Sequence, residues 1–312
     1  MNKTAFLFPG QGSQSVGMGR DLAAAFPVAR QTFEEANDAL GFDLAALCFD
    51  GPEEQLRLTE FTQPAIFTVS VAALRVLAEA GVTADYLAGH SLGEYSANVA
   101  AGAIGFAAAA RTVRRRGQLM QQAVAPGEGS MAAILGMPAE SVLTVCQDAS
   151  REVGAPVEPA NLNTPEQTVI SGATAAVERA IALAKERGAR RAVALQVSAP
   201  FHCSLMQPAQ DALAPVLQEM TFLPATIPVL VNVDARLVTE GAALRDALVR
   251  QVTGAVRWTE SIQQLIADGV TTFIEVGPGK VLSGLLRQID RNQKCGQAED
   301  PASIEKLLAV LS

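Results

Sequence analysis

Short, mostly apolar runs alternate with longer segments of helical period along most of this chain. Thr4–Phe8 is too short for a helix, is apolar after Thr4 and is closed by Pro9-Gly10, so it reads as a buried strand. Tyr86–Gly89, Pro228–Val233 and Thr271–Val276, short and mostly apolar, also read as strands. Between them, apolar residues recur every three or four positions and predict helices. The predicted spans are Pro27–Leu40, Thr62 to about Ala80, a helix from Leu92, Phe106–Ala123, Ser204–Met220, Ala242–Gln251 and Trp258–Ala267. Apolar strands without alternation are covered on both faces. The pattern therefore predicts an α/β fold with a mostly parallel sheet between helical layers.

The pattern changes between Ser130 and Val197. A strand at Met131–Gly136 and a helix at Pro138–Arg151 are followed by strands at Pro156–Asn161 and Gln167–Ser171, with a turn at Asn163-Thr164-Pro165 between them. A helix at Thr174–Arg187 and a strand at Arg191–Val197 complete the order βαββαβ. That order is ferredoxin-like. Because the larger pattern resumes beyond it, the segment reads as an insert. The expected domains are 1–128 with 198–312, and 129–197.

Composition narrows the classes. With 312 residues, 49% apolar and 18% charged, the chain can bury a large core and is not disordered. Cys48, Cys146, Cys203 and Cys295 show no CxxC or metal-ligand spacing, which suggests reduced thiols in a cytoplasm rather than disulfides or zinc. Met1–Thr4 has no secretory character, and apolar runs such as Ala100–Ala110 are short and unlike membrane spans. The net charge of −8 argues against nucleic-acid binding. It also requires local cations to draw in any anionic ligand.

Candidate chemistry centres on Gly89-His90-Ser91-Leu92-Gly93, where a strand gives way to a helix. Gly-x-Ser-x-Gly at such a junction suggests a nucleophile elbow, with the serine hydroxyl exposed on a strained turn. The first strand ends in Pro9-Gly10-Gln11-Gly12-Ser13-Gln14, a loop either merely connecting or offering N–H groups to a ligand. Only two histidines are present, His90 and His202. His90 adjoins Ser91 and points its side chain away from it, so a histidine base for Ser91 is His202. Such a pair implies acyl transfer through an acyl-enzyme. Its oxyanion needs preorganised donors, for which the Leu92 and Gln11 N–H groups are the candidates. No acidic third member stands out, and a carbonyl could equally hold the His202 Nδ1–H.

The helix Phe106–Ala123 carries Arg111, Arg114, Arg115 and Arg116. At about 100° per residue the first three share one sector, whereas Arg116 lies about 150° away, beside Ala109, Val113 and Met120. A guanidinium on an apolar face needs an anion. Two readings stand: an internal salt bridge, or a bidentate clamp for a substrate carboxylate. Gly277-Pro278-Gly279-Lys280 lacks GxxxxGK[ST] and reads as a structural turn.

Five motifs then occur in one order: Phe8 to Gln14, Gly89 to Glu94, Arg116-Gly117, Pro200-Phe201-His202 and Glu275 to Gly279. Together they resemble the malonyl-CoA:acyl-carrier-protein transacylases over essentially the whole chain. The resemblance implies an α/β-hydrolase-like domain with a ferredoxin-like insert. It also implies Ser91 as nucleophile, His202 as general base, and Gln251 at the position whose backbone carbonyl orients the histidine. Arg116 would clamp the malonyl carboxylate, and the Gln11 and Leu92 amides would form the oxyanion hole. Phe201 would crowd an α-methyl group and favour malonyl over methylmalonyl.

By the same resemblance the substrates are a coenzyme A thioester and a carrier-protein phosphopantetheine, with no permanently bound cofactor or metal. A monomer is expected, with an acidic acyl carrier protein docking on basic groups such as Lys185, Arg187, Arg190, Arg191, Lys280 or Arg287. A polyketide synthase carrier would use the same chemistry. A serine esterase or thioesterase would share the elbow but has no need of Arg116. An inactive carrier-binding scaffold would have lost Ser91 or His202.

Overall fold

A computed structural model describes residues 3–197 and 199–311. The expected boundaries at 1, 198 and 312 fall outside the described residues. Strands β1 (Lys3–Phe8) and β2 (Tyr86–Gly89) precede the insert. The insert contains β3 (Gly129–Leu135), β4 (Val157–Thr164), β5 (Gln167–Ala173) and β6 (Arg191–Ala194). After it come β7 (Val229–Val231), β8 (Arg236–Val238), β9 (Val270–Val276) and β10 (Lys294–Ala298).

The large sheet has the order β10-β9-β1-β2-β7-β8. All neighbours are parallel except β7 and β8, which form an antiparallel edge. The carboxyl ends of β1 and β2 lie side by side at the middle of the sheet, with Phe8 opposite Gly89. Ligands of open α/β sheets bind at such ends. The insert forms its own antiparallel sheet in the order β4-β5-β3-β6, the ferredoxin-like arrangement. The architecture is thus an α/β-hydrolase-like domain with a ferredoxin-like insert.

Apolar side chains from both faces of the large sheet are buried beneath helices, and the insert has a separate core around Ile134, Val145, Ile170 and Val177. Unlike short apolar runs such as Ala100–Ala110, the helix Thr59–Glu79 is long and apolar enough to cross a membrane. It is nevertheless a core helix, with 78% of its most apolar stretch buried. It begins three residues before the expected Thr62 and keeps Pro64 inside, at the cost of the bond that the Pro64 nitrogen cannot donate.

Other differences have local causes. Strand β8 has only three residues, and β10 is a polar edge strand, Lys-Cys-Gly-Gln-Ala, so neither makes an apolar run. A helix at Pro301–Leu311 then closes over β10. The β6 ladder stops at Ala194 rather than Val197, and Ser204–Met206 is a 3₁₀ turn ahead of the helix Gln207–Glu219.

Two contacts place the insert over the large sheet. Val256 pairs with β4 through Val256 N–H to Ala160 O at 2.8 Å and Leu162 N–H to Val256 O at 2.9 Å. At the elbow, a Cβ on Gly89 would lie 1.9 Å from the Gly93 carbonyl carbon, and one on Gly93 would lie 2.0 Å from Phe8 O. Only glycine allows β1, β2 and the helix Gly93–Ala100 to approach this closely.

Candidate active site

Ser91 sits between β2 and the helix Gly93–Ala100 with φ 51°, a left-handed conformation that costs a β-carbon-bearing residue about 1–3 kcal/mol. The surroundings hold it there. Its N–H donates to Asn232 Oδ1 at 2.7 Å, and Gln251 Nε2 donates to its carbonyl at 3.0 Å. The strained turn lifts Oγ into a cleft of about 200 Å³ between the sheet and the insert. Gln11, Ser91, Leu92, Arg116, Phe201 and His202 all line this cleft.

His202 is buried and also left-handed, at φ 59°. Its Nε2 lies 2.7 Å from Ser91 Oγ. Its Nδ1 faces two backbone carbonyls, Gln251 O at 2.8 Å and Gly254 O at 3.1 Å. Carbonyls only accept, so the proton is on Nδ1 and the Nε2 lone pair faces the serine hydroxyl. Burial first, then the nearby Arg116 charge, pushes His202 down to about 3, so the ring is a neutral acceptor at physiological pH.

Arg116 is 1% exposed. Its Nη1 donates to Gln63 Oε1 at 2.9 Å, and its Nη2 donates to Gln251 Oε1 at 2.9 Å and Ser91 Oγ at 3.1 Å. Among the described residues no carboxylate pairs with it within 4.0 Å, so the internal salt bridge is not formed. Neutral amide oxygens and the Tyr95 ring, 5.8 Å away, hold the cation instead. Burial depresses its pKa, opposed by Tyr95 and Glu94. Arg111 and Arg115 are exposed, while Arg114 is tied to Leu40 O at 2.9 Å.

Among the described residues, neither the Leu92 nor the Gln11 N–H is engaged by a protein acceptor, and both residues line the cleft with Ser91. They remain available to an oxyanion. Gly10 fixes the approach of the Gln11 loop, because a Cβ there would meet His90 O at 2.4 Å. His90 itself faces away from the serine hydroxyl. Its Nε2 lies 2.9 Å from Asn163 Oδ1 on β4, and its ring packs on Trp258 at 5.3 Å. The Gly277–Gly279 turn leads into the helix Val281–Ile289, whose first-turn N–H groups at Leu282 and Ser283 donate to the Glu275 oxygens at 2.9 and 2.8 Å. It also delivers Val281, Leu282 and Leu285 to the cleft wall.

Gln63, Asn232, Gly254 and the side chain of Gln251 complete the site without having been singled out in the sequence. Two of them carry a faint signal: Gln63 is polar within the buried helix Thr59–Glu79, and Asn232 directly follows the buried β7. Among the described residues no group of three or more His, Cys, Asp or Glu could hold a metal.

The acyl transferase domain model matches residues 5–303. The malonyl CoA-acyl carrier protein transacylase of Bacillus subtilis is 51% identical over 311 residues, covering 100% of this chain and 98% of that protein. The chain belongs to the acyl transferase family, in its malonyl-CoA:acyl-carrier-protein transacylase branch. The acyl transferase fold extends to solved structures. An acyl carrier protein S-malonyltransferase from Vibrio cholerae superposes with a TM-score of 0.96 at 50% identity, covering 98% of this chain and 100% of that one. A malonyl-transacylase in complex with its type II polyketide synthase acyl-carrier protein gives 0.96 at 47% identity, covering 99% and 100%.

Proposed function

We infer that this enzyme transfers a malonyl group from coenzyme A to the phosphopantetheine thiol of an acyl carrier protein, supplying fatty-acid synthesis. The observation that carries the reading is Arg116, a buried cation with no carboxylate partner among the described residues, whose Nη2 is 3.1 Å from Ser91 Oγ. A hydrolase acting on neutral esters has no use for it. A malonyl group on Ser91 carries its free carboxylate close to the carbonyl under attack, within reach of such a guanidinium.

His202 Nε2 takes the Ser91 proton as Oγ attacks the thioester carbonyl. The Leu92 and Gln11 N–H groups receive the oxyanion. As the tetrahedral intermediate collapses, the C–S bond breaks and His202 returns the proton to the departing coenzyme A sulfur. The carrier thiol then repeats the cycle in reverse. It loses its proton to His202, attacks the ester carbonyl, and the C–O bond breaks as Ser91 Oγ is reprotonated. The Gln251 and Gly254 carbonyls keep the ring aligned through both halves. Being neutral, they stabilise the imidazolium less than a carboxylate would, leaving a mild nucleophile suited to a transient ester.

The partners implied are the coenzyme A thioester and the carrier, with no cofactor between them. Exposed cations on the insert, Lys185, Arg187, Arg190 and Arg191, and Lys280 and Arg287 beyond β9, are the candidate docking groups for an acidic carrier. One chain supplies every group of the site, which suits a monomer, and the reduced thiols suit the cytoplasm. A second reading, a polyketide synthase carrier, is favoured by the neighbouring transacylase solved with such a partner. Intact-protein mass spectrometry after mixing with malonyl-CoA tests the chemistry. One malonyl adduct is expected on the wild type and none on Ser91→Ala. An adduct that survives in Ser91→Ala overturns the mechanism.

A further inference from the structure

Glu94 follows the elbow glycine and is fully buried, yet none of the steps above uses it. Its Oε2 accepts two hydrogen bonds, from the Asn232 N–H and from Gln251 Nε2, each at 2.9 Å. Asn232 in turn accepts the Ser91 N–H at 2.7 Å and donates Nδ2 to Gly89 O at 2.7 Å. Gln251 Nε2 also reaches Ser91 O at 3.0 Å. One carboxylate oxygen therefore anchors both residues that bracket the nucleophile.

The orientation of the Gln251 amide follows from this. Its NH2 group is surrounded by oxygens of Glu94, Ser91 and Asn232, so Oε1 must face the other way, toward Arg116 Nη2 at 2.9 Å. Turned over, the amide would set N–H donors against the guanidinium and an oxygen against the carboxylate. Both contacts are repulsive.

We propose that Glu94 is a positioning residue of the acyl clamp. Its Oε2 fixes the Gln251 amide, whose Oε1 aims the Arg116 guanidinium at the carboxylate of the acyl group on Ser91. The proposal rests on the transacylase reading above. Burial pushes Glu94 up to about 7, against the pull of Asn232, Gln251 and Arg116. Glu94 Oε1 is buried and has no partner among the described residues, so it is the oxygen that takes a proton. Oε2 thus remains the acceptor in either state.

The test compares single-turnover acylation by malonyl-CoA and by acetyl-CoA, which lacks the carboxylate. Glu94→Ala removes the acceptor, and Glu94→Asp withdraws it by one methylene. In each, the malonyl-to-acetyl ratio of kcat/KM falls at least about tenfold, mainly through a higher KM for malonyl-CoA, as expected for a lost hydrogen bond in a charged network. If the alanine variant does not fold, the aspartate variant carries the same comparison. In Glu94→Gln the amide oxygen can replace Oε2, and the ratio returns to within about threefold of wild type. Glu94→Ala added to Gln251→Ala lowers the ratio no further than Gln251→Ala alone.

Equal slowing of both thioesters, with the ratio unchanged, overturns the proposal and leaves Glu94 a support of the elbow alone. Full additivity with Gln251→Ala also overturns it. A wild type that forms no malonyl-serine rejects the transacylase reading itself. A wild type that forms it while the ratio ignores Glu94 rejects only the clamp.

Discussion

Ser91 Oγ and His202 Nε2 stand 2.7 Å apart although 111 residues separate them in the chain. With Nδ1–H committed to the Gln251 and Gly254 carbonyls, the histidine can act only as an acceptor toward the serine. Replacing His202 with alanine should slow acylation about 10²–10⁴-fold, the usual contribution of a positioned general base. Ser91→Ala should abolish the covalent adduct. Stopped-flow acylation with a chromogenic or mass readout checks both. A His202→Ala enzyme within a few-fold of wild type would remove the histidine from the mechanism.

Arg116→Ala should weaken use of malonyl-CoA by about 10²-fold or more, because it removes a buried, hydrogen-bonded charge from its anionic partner. Acetyl-CoA should be affected far less, so the preference narrows or reverses. Arg116→Lys should rescue poorly. A point charge cannot reach Gln63 Oε1, Gln251 Oε1 and the acyl carboxylate with the geometry of a planar fork. Equal losses with both thioesters would show that Arg116 only supports the fold.

The elbow was legible because its signals are local: an apolar strand, two glycines and a helix within eight residues. The insert was legible for a similar reason, since each strand and helix announces itself by its own period. The buried face of Arg116 could be read from helical angle alone. Its partners could not, because Gln63 and Gln251 lie 53 and 135 positions away and only the tertiary fold joins them. That is why the helical angle alone leaves both an internal salt bridge and a carboxylate clamp open. Strands β8 and β10 leave no apolar pattern in the sequence because edge strands need little apolar surface, and pairing with β7 and β9 defines them. Asn232 is instructive. A single asparagine following an apolar strand marked the support of the nucleophile, but its meaning depended on Glu94 and Ser91 lying opposite.

Phe201 is 8% exposed and lines the cleft immediately before His202. If Phe201 selects the acyl group, an α-methyl would press on it. Malonyl-CoA should therefore exceed methylmalonyl-CoA in kcat/KM by about 10–200-fold, the range one methyl-sized group commands in a tight pocket. Phe201→Ala should reduce that discrimination while costing about 3 kcal/mol or more of stability. Competition between the two thioesters for one enzyme gives the ratio directly. Near-equal use by wild type would remove Phe201 from acyl selection.

Gly89→Ala should be among the most damaging single changes outside the reacting groups. The new Cβ would fall 1.9 Å from backbone of Gly93, and neither strand nor helix can yield without moving Ser91. A loss of about 3 kcal/mol or more in urea unfolding is expected, beyond ordinary overpacking. Gly154→Ala is the control. That glycine has φ 73° but nothing within 4 Å of its Cβ position, so only the left-handed backbone costs, at about 1 kcal/mol. Similar losses at both sites would refute the close approach at the elbow.

The buried ionisable groups predict an unusual pH dependence. His202 titrates near 6.5 when unfolded and at about 3 when folded. Between those values the unfolded chain binds the extra proton, so stability falls as pH falls, by about 1.4 kcal/mol per pH unit. Glu94 acts in the opposite direction: 4.5 when unfolded and about 7 when folded. The folded state then holds the extra proton, and stability falls as pH rises through that window at the same slope. Between pH 4.5 and 6.5 the two contributions cancel. Glu94→Gln removes one of them, so its urea midpoint should drop more steeply than wild type as pH is lowered from about 6.5 to 5. His202→Ala should tilt the curve the other way. Acylation, meanwhile, should show no acid limb near 6.5, because the folded His202 is already neutral there. Parallel stability curves for wild type and Glu94→Gln would mean that Glu94 titrates normally inside the fold.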